Sequence, residues 1–430
     1  MKTETRRDID ALIRSEIVPA TGCTEPIAVS FTTAAAAELL EDVPTQIDVY
    51  LSTNVLKNAM GVGIPGTGMI GLPIAIALGA IIRDSSKGLN ILENITPELV
   101  AKGKAFLNEV PIKIGLKDEP VDKLYIEINI ATPSGGATAI VEHLHTNIVK
   151  LVKNGEVLLS KSADSVASDS EDESDGHIML NYDLVYRYAT EAPLEEIRYI
   201  IGAAEMNKKA SEESSAGDFG HGIGKMLTSP QAHHLMGDTV YTRVLSVTAN
   251  ACDGRMGGMP IPVMSNSGSG NQGIASSLPV YSYAKEIGAT EEQMARAIML
   301  SSLMVIYIKQ SLGRLSALCG CVVAATGSAC GITYLMGGTK EQIGYAIKNM
   351  IANITGMMCD GAKPGCALKV ATGVSSAMLA AMMAIEERVV TPTEGIIDND
   401  VDKTIRNLTL IGADAMQQVD KVVLDIMTTK

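Results

Sequence analysis

The spacing of apolar residues changes period along this chain. At the start, MKTETRRDIDALIRSEI carries apolar positions at helical intervals and predicts a helix to about Ile17. PATGCTEP follows, then a second helix from Pro26 through TTAAAAELLE, with Thr24 as N-cap and Pro26 as an early helical residue. Alternation then takes over: Ile47, Val49 and Leu51 in QIDVYLS, and Leu124, Ile126, Ile128 and Ile130 in LYIEINIAT, read as strands. KNGE at 153 to 156 reads as a hairpin turn between IVKLV and VLL. After Pro193 alternation nearly vanishes, and Thr290 with Gln293 and Thr339 with Gln342 form capping boxes that open TEEQMARAIMLSSLMVIYI and TKEQIGYAIKNMIANIT. The pattern predicts an α+β fold: a small sandwich-like α/β unit over residues 1–192 and a large all-α domain over 193–430.

Two segments carry no charge at all, Asn58 to Ile82 and Leu315 to Thr339, and each reaches the length of a membrane-spanning helix. An integral membrane transporter is therefore one reading. Gly and Pro interrupt the first, Gly, Ser, Thr and Cys fill the second, and neither has aromatic flanks, so both are read as buried parts of a large core with no membrane partner. Six acids between Asp164 and Asp175 lack the spacing of a calcium loop and are read as a solvated surface loop.

Composition narrows the function. A chain that is 46% hydrophobic and 20% charged is globular, and no Trp, three Phe and 22 Met imply a core of small aliphatic and flexible side chains. A net charge of -14 argues against nucleic acid as a partner. The charged, amphipathic start is no secretory signal, so the expectation is a reducing, cytoplasmic compartment. A homodimer is the ordinary expectation for assembly.

Five of the seven cysteines fall between Cys319 and Cys366, in LCGCVVAATGSACG and MMCDGAKPGC. Clustered thiols in such a chain mean a metal, a redox couple or a thiolate catalyst, and the two close Cys-x-x-Cys pairs of a zinc site are missing. Thiolates on separate helices can converge on an iron-sulfur cluster, and three ligands instead of four would leave one iron open as a Lewis acid. Cys23, just before a helix, is a base or nucleophile whose ionisation the helix end would ease, or else a buried inert thiol. His143 and His145 share one face of a predicted strand, as metal ligands or as solvent-facing side chains, while His221, His233 and His234 have no evident partner. Of two Gly-x-Gly-x-x-Gly runs, Gly66-Gly68-Gly71 and Gly268-Gly270-Gly273, neither follows a strand as a dinucleotide site requires. The second, SNSGSGNQG, offers backbone N–H groups to a carboxylate or is simply an interhelical loop.

The motifs ATGCTEPIAVSF, STNVLKNAMGVGIPGTGMIGLPIA, TANACDGRMGGMPIPVMSNSGSGNQGI, LSALCGCVVAATGS and MMCDGAKPGC together resemble the iron-sulfur L-serine dehydratase superfamily, and within it the L-cysteine desulfidase-like branch, over nearly the whole length. The resemblance implies a 4Fe-4S cluster held by three cysteines: Cys359, Cys366 and either Cys319 or Cys321, with LSALCG aligning best on Cys319. Cys252 and Cys330 are then spare. Where serine dehydratases carry Ser-Ser-Ser-His-Thr, this chain has Thr21, Gly22, Cys23 and Thr24, so Cys23 stands in for an imidazole as proton acceptor. The implied substrate is a small amino acid, L-cysteine before L-serine, with Asn54, Lys57, Asn266, Ser267 and Asn271 as its binding residues. A non-catalytic metal or redox-binding protein is the competing class, and no Lys-centred motif points to a pyridoxal cofactor.

Overall fold

The computed structural model describes residues 1–161, 178–313 and 316–429. The acidic run from Asp164 to Asp175 and the first residue of the second uncharged segment lie outside them. In the N-terminal part, α1 (Thr3–Glu16) leads through β1 (Pro19–Thr21) into α2 (Thr24–Ala37). Then come β2 (Gln46–Leu51), α3 (Thr53–Ala59), α4 (Leu72–Ile82), α5 (Pro97–Glu109), β3 (Ile112–Leu116), β4 (Tyr125–Thr132), β5 (Gly135–Glu142), β6 (Ile148–Lys153) and β7 (Glu156–Ser160). Six strands form one sheet in the order β3-β2-β4-β5-β6-β7, parallel between β2 and β3 and antiparallel elsewhere. The alternation read from sequence is the buried face: Ile47, Val49 and Leu51 lie inward beside Ile126, Ile128 and Ile130. Lys153 pairs with Glu156, and both Asn154 and Gly155 take positive φ, the twist that a two-residue hairpin turn requires.

Helix α2 lies on that sheet with α4 packed on its other side, so every residue from Pro26 to Ala37 is buried. A Cβ on Gly79 would stand 2.2 Å from the Ser30 carbonyl oxygen, so the two backbones meet where only glycine fits. The first uncharged segment is thereby explained, since α4 is apolar all round because it is enclosed all round.

On the other face of the same sheet, Glu127 accepts hydrogen bonds from Asn129 Nδ2 (2.9 Å), Lys117 Nζ (2.8 Å) and the Tyr125 hydroxyl. Burial pushes its pKa up, but these donors outweigh it and hold the carboxyl below its ordinary value of 4.5. With the folded value depressed, the stabilisation is complete above the unfolded pKa and disappears as pH falls through the folded one. Glu127→Gln is therefore expected to destabilise by about 1–2 kcal/mol at pH 7, with the gap to wild type closing in urea titrations at strongly acidic pH. A gap that persists there would show the carboxylate charge to be irrelevant.

The C-terminal part is helical: α6 (Tyr182–Glu191), α7 (Ile200–Ala216), α8 (Val240–Met256), α9 (Gly270–Glu286), α10 (Glu291–Leu312), α11 (Gly320–Leu335), α12 (Lys340–Ile354), α13 (Cys366–Ile385), α14 (Val401–Leu410) and α15 (Gln417–Thr429). Both expected capping boxes form: Thr290 and Thr339 each cap the third residue of their helix and receive its glutamine side chain in return. Helix α11 is the centre, packed against α9, α10, α12 and α13, and buried without a break from Cys321 to Thr333. That enclosure accounts for the second uncharged segment. Among the described residues one helix, α13, is long and apolar enough to cross a bilayer, and half of its apolar window is buried in the fold.

The apolar cores do not divide at residue 192. Ile9, Leu12 and Ile13 of α1 and Val185 and Tyr188 of α6 belong to the helical core, whereas Leu424 of α15 packs into the sheet core. Short-range periodicity cannot show which core an amphipathic helix joins.

Candidate active site

One short β-pairing brings two distant loops together. Strand β1 runs antiparallel to β8 (Pro262–Met264), with Ala20 opposite Val263, so the Thr21-Gly22-Cys23 turn lies beside the Ser265 to Gln272 loop. Gly22 has φ +70° and a Cβ there would stand 2.6 Å from the Pro65 ring, so the turn needs glycine. It delivers Cys23, rather than Thr24, as N-cap of α2. The loop after β8 ends at Ser269, whose hydroxyl caps α9.

A second pairing sets the cysteines. Leu318 and Met358 form an isolated antiparallel bridge, closed by Cys319 N–H to the Met357 carbonyl (3.0 Å) and Cys359 N–H to the Ala317 carbonyl (2.7 Å). Because side chains alternate across such a pair, Cys319 and Cys359 emerge on the same face, on diagonal positions whose typical spacing is about 7–8 Å. From Cys359 a tight loop runs to Cys366, the first residue of α13. Asp360 in that loop is bound by Lys363 (2.5 Å) and Lys369. Burial raises its pKa, yet the two ammonium groups hold it down at about 2. Gly361, at φ +87°, lies so close to the Lys57 carbonyl that a Cβ would stand 2.1 Å away, which fixes the loop against α3.

These segments enclose a cavity of about 150 Å³ lined by Cys23, Cys319, Cys321, Cys359 and Cys366 together with Arg255. Four helices start at its wall: α2 at Thr24, α9 at Ser269 and Asn271, α11 at Gly320 and α13 at Cys366. Each contributes the positive end of its dipole. The cavity is therefore built to hold negative charge.

All seven cysteines are free thiols. Burial pushes Cys319 up to about 12, and neighbouring Cys359 adds to the rise. Burial, then Cys319 and Cys366, raise Cys321, and burial with Cys359 among its neighbours raises Cys366. Several thiolates can share this space only around a multivalent cation. Among the described residues no three His, Cys, Asp or Glu side chains converge on a single-ion point. A four-iron cube takes one ligand at each of several irons, so its thiols must be spread around a volume. Two lining atoms also call for polar partners, since Arg255 Nε and Gln272 Oε1 are buried without a hydrogen bond, the first suited to an acceptor and the second to a donor. The donor set fits an iron-sulfur cluster beside an anionic ligand.

Cys319 and Cys321 differ in what holds them. The Cys321 thiol donates to the Lys369 carbonyl (3.0 Å) and packs so tightly on Gly373 that a Cβ there would stand 2.4 Å from its sulfur. The Cys319 sulfur instead receives the backbone N–H of Cys321 and, among the described residues, donates to no carbonyl, which leaves it the freer donor. Cys330 donates to Thr326 within α11 and Cys252 is fully buried in α8, neither at the cavity wall.

The sequence model for the serine dehydratase alpha chain matches residues 86–425. The chain belongs to the serine dehydratase alpha-chain family. It is 54% identical over 432 residues to a UPF0597 protein of Porphyromonas gingivalis and 57% identical over 430 residues to one of Bacteroides fragilis, covering 100% of each chain in both cases. A UPF0597 protein of Clostridium perfringens is 40% identical over 420 residues, 97% of each chain.

In this serine dehydratase family member, Asn271 lines the cavity and accepts from Arg255 Nη1 (3.1 Å). The other expected substrate-binding residues lie elsewhere. Lys57 is bound to Asp420 of α15, and Asn54 lines a separate cleft with Asp420. Asn266 donates to the Ser302 carbonyl (3.0 Å) and accepts from the Ser267 hydroxyl (2.9 Å), which braces the loop, while Ser267 lines an adjoining cavity with Glu25 and Gly268. At Cys23 burial pushes the thiol up to about 12, against the lowering effect of Arg255, and Glu25 and Cys366 add to the rise. The shared strand face expected of His143 and His145 does not form, because β5 ends at Glu142 and His143, at φ +66°, turns away, exposed, to meet Asp122 (3.3 Å).

Arg255, Gln272, Lys369 and Glu25 escaped the sequence reading. Arg255 carried a signal: it is the one basic side chain in the stretch from Thr248 to Met256, all of which is buried. A charge in such a run needs a partner or a ligand.

Proposed function

We propose that this chain is an iron-sulfur lyase that eliminates sulfide from L-cysteine, with L-serine as a second substrate. Thiols from three distant segments share one cavity with a buried arginine, and this observation carries the reading. Cys319, Cys359 and Cys366 would hold the cluster. When bound, such a cluster supplies a Lewis acid that turns the β-substituent into a better leaving group.

The protein's own groups do the rest. Arg255, whose Nη2 donates to the Gly22 carbonyl (2.9 Å) and Nη1 to Asn271, presents a fixed guanidinium to the substrate carboxylate. The four helix ends add to the attraction. Cys23 first loses its own proton to water, and the thiolate, which the neighbouring Arg255 favours against burial, then takes the α-proton. The electron pair of that C–H bond forms the new double bond as the β-substituent leaves with its own pair, as hydrosulfide from cysteine or as hydroxide from serine, which becomes water on gaining a proton. The 2-aminoacrylate released tautomerises to an imine, which water hydrolyses to pyruvate and ammonia. A thiol at position 23, where serine dehydratases carry an imidazole, supports L-cysteine as the preferred substrate.

Anaerobic reconstitution with iron and sulfide is expected to load about four irons per chain and to yield pyruvate and sulfide from L-cysteine. Iron-loaded protein inert toward both L-cysteine and L-serine would overturn the reading.

A further inference from the structure

We propose that Glu25 recognises the α-ammonium group, and that the reversal of charge across it makes amino acids enter carboxylate first. This inference rests on the reading of the cavity as an amino-acid site.

Glu25 is the one acidic side chain among the described residues that line the thiol cavity. It stands half-buried in the first turn of α2, and Asn58 Nδ2 of α3 donates to its Oε1 at 3.0 Å, which fixes the carboxylate plane. No lysine or arginine among the described residues pairs with it. A cation-shaped requirement is left at the rim of an otherwise electropositive chamber.

The same residue lines a second, outer cavity of about 850 Å³, which shares Thr24, Glu25 and Gly268 with the inner one. The two chambers have opposite character. The outer one carries the carboxylates of Glu25, Glu93 and Asp122, the last beside His143, with Lys123 as its lysine, whereas the inner one has Arg255 and four helix N-termini, with Lys369 shared with Asp360, against Glu25. A zwitterion crossing from one to the other lowers its energy by turning its carboxylate inward and leaving its ammonium at Glu25. Arg255 and Glu25 then hold opposite ends of the α-carbon, which places the α-hydrogen and the β-substituent between them. A carboxylic acid without the amine has no use for Glu25.

An acidic residue in a first helical turn also favours the helix dipole. That structural role would alter stability equally with any ligand. The discriminating measurement is ligand selectivity, read by calorimetry on the anaerobically reconstituted holoprotein with L-cysteine and with 3-mercaptopropanoate, its analogue lacking the amine. Glu25→Gln is expected to weaken L-cysteine about ten- to hundredfold while leaving the analogue within about twofold. Asn58→Ala, which keeps the carboxylate but releases its orientation, gives a smaller loss in the same direction. Equal losses for both ligands, or unchanged L-cysteine affinity, would overturn the assignment. Turnover is scored separately: selective binding without any pyruvate from L-cysteine or L-serine would sink the lyase reading and leave the amine site standing.

Discussion

Alanine in place of Cys319 is expected to strip the reconstituted protein of its iron and to lower L-cysteine turnover at least about a hundredfold, while alanine in place of Cys321 leaves both near wild type. The two thiols are two residues apart, so only their surroundings separate them. Cys319 is the N-cap of α11, placed by the Leu318–Met358 bridge on the same side as Cys359. Cys321 is already bound to a carbonyl of α13 and wedged against Gly373. Its loss removes one buried thiol contact and a small volume, which costs on the order of 1 kcal/mol. Iron per chain and thermal midpoint, measured on both variants after the same anaerobic loading, decide the matter. Retained iron in the Cys319 variant with loss in the Cys321 variant would reverse the ligand assignment. Cys330→Ala, remote from the cavity, is the control in which iron should be unchanged.

The contrast between these neighbours shows which features a one-dimensional reading reaches. The capping boxes at Thr290 and Thr339, the Asn154-Gly155 turn and the alternating faces of β2 and β4 depend on residues a few positions apart, and each forms as expected. The five-thiol cavity depends on two β-pairings, β1 with β8 and Leu318 with Met358, that join distant loops without any periodic signature. Lys57 illustrates the same limit from the other side. Its position beside a Gly-rich segment resembled that of a substrate ligand, but its charge is neutralised by Asp420, 363 residues away. Cys23 lies at a helix start, as the sequence indicates, yet the balance between burial and the Arg255 charge depends on how many atoms surround the sulfur, which neighbouring residues do not reveal.

Arg255→Lys is expected to raise KM for L-cysteine about ten- to hundredfold with a much smaller fall in kcat and no loss of iron. Lysine keeps the positive charge beside Cys23 but not the planar fork, so the variant separates carboxylate binding from support of the thiolate. The wild-type guanidinium carries a buried Nε without a partner, a vacancy that typically costs about 1–3 kcal/mol. Such an orphan persists more readily in a residue that a ligand will meet. Gly270 permits the arrangement, because a Cβ there would stand 2.3 Å from that same nitrogen. Arg255→Gln removes both the fork and the charge, and here kcat should fall as well, since nothing then opposes the burial that holds Cys23 protonated. Thermal midpoints must accompany both measurements, because the bonds to the Gly22 carbonyl and Asn271 are weakened in either variant. A stable, iron-loaded lysine variant with unchanged KM would place the substrate carboxylate elsewhere. If kcat instead of KM collapsed in that variant, the fork would be acting only in the transition state, since a group that binds ground state and transition state alike changes KM alone.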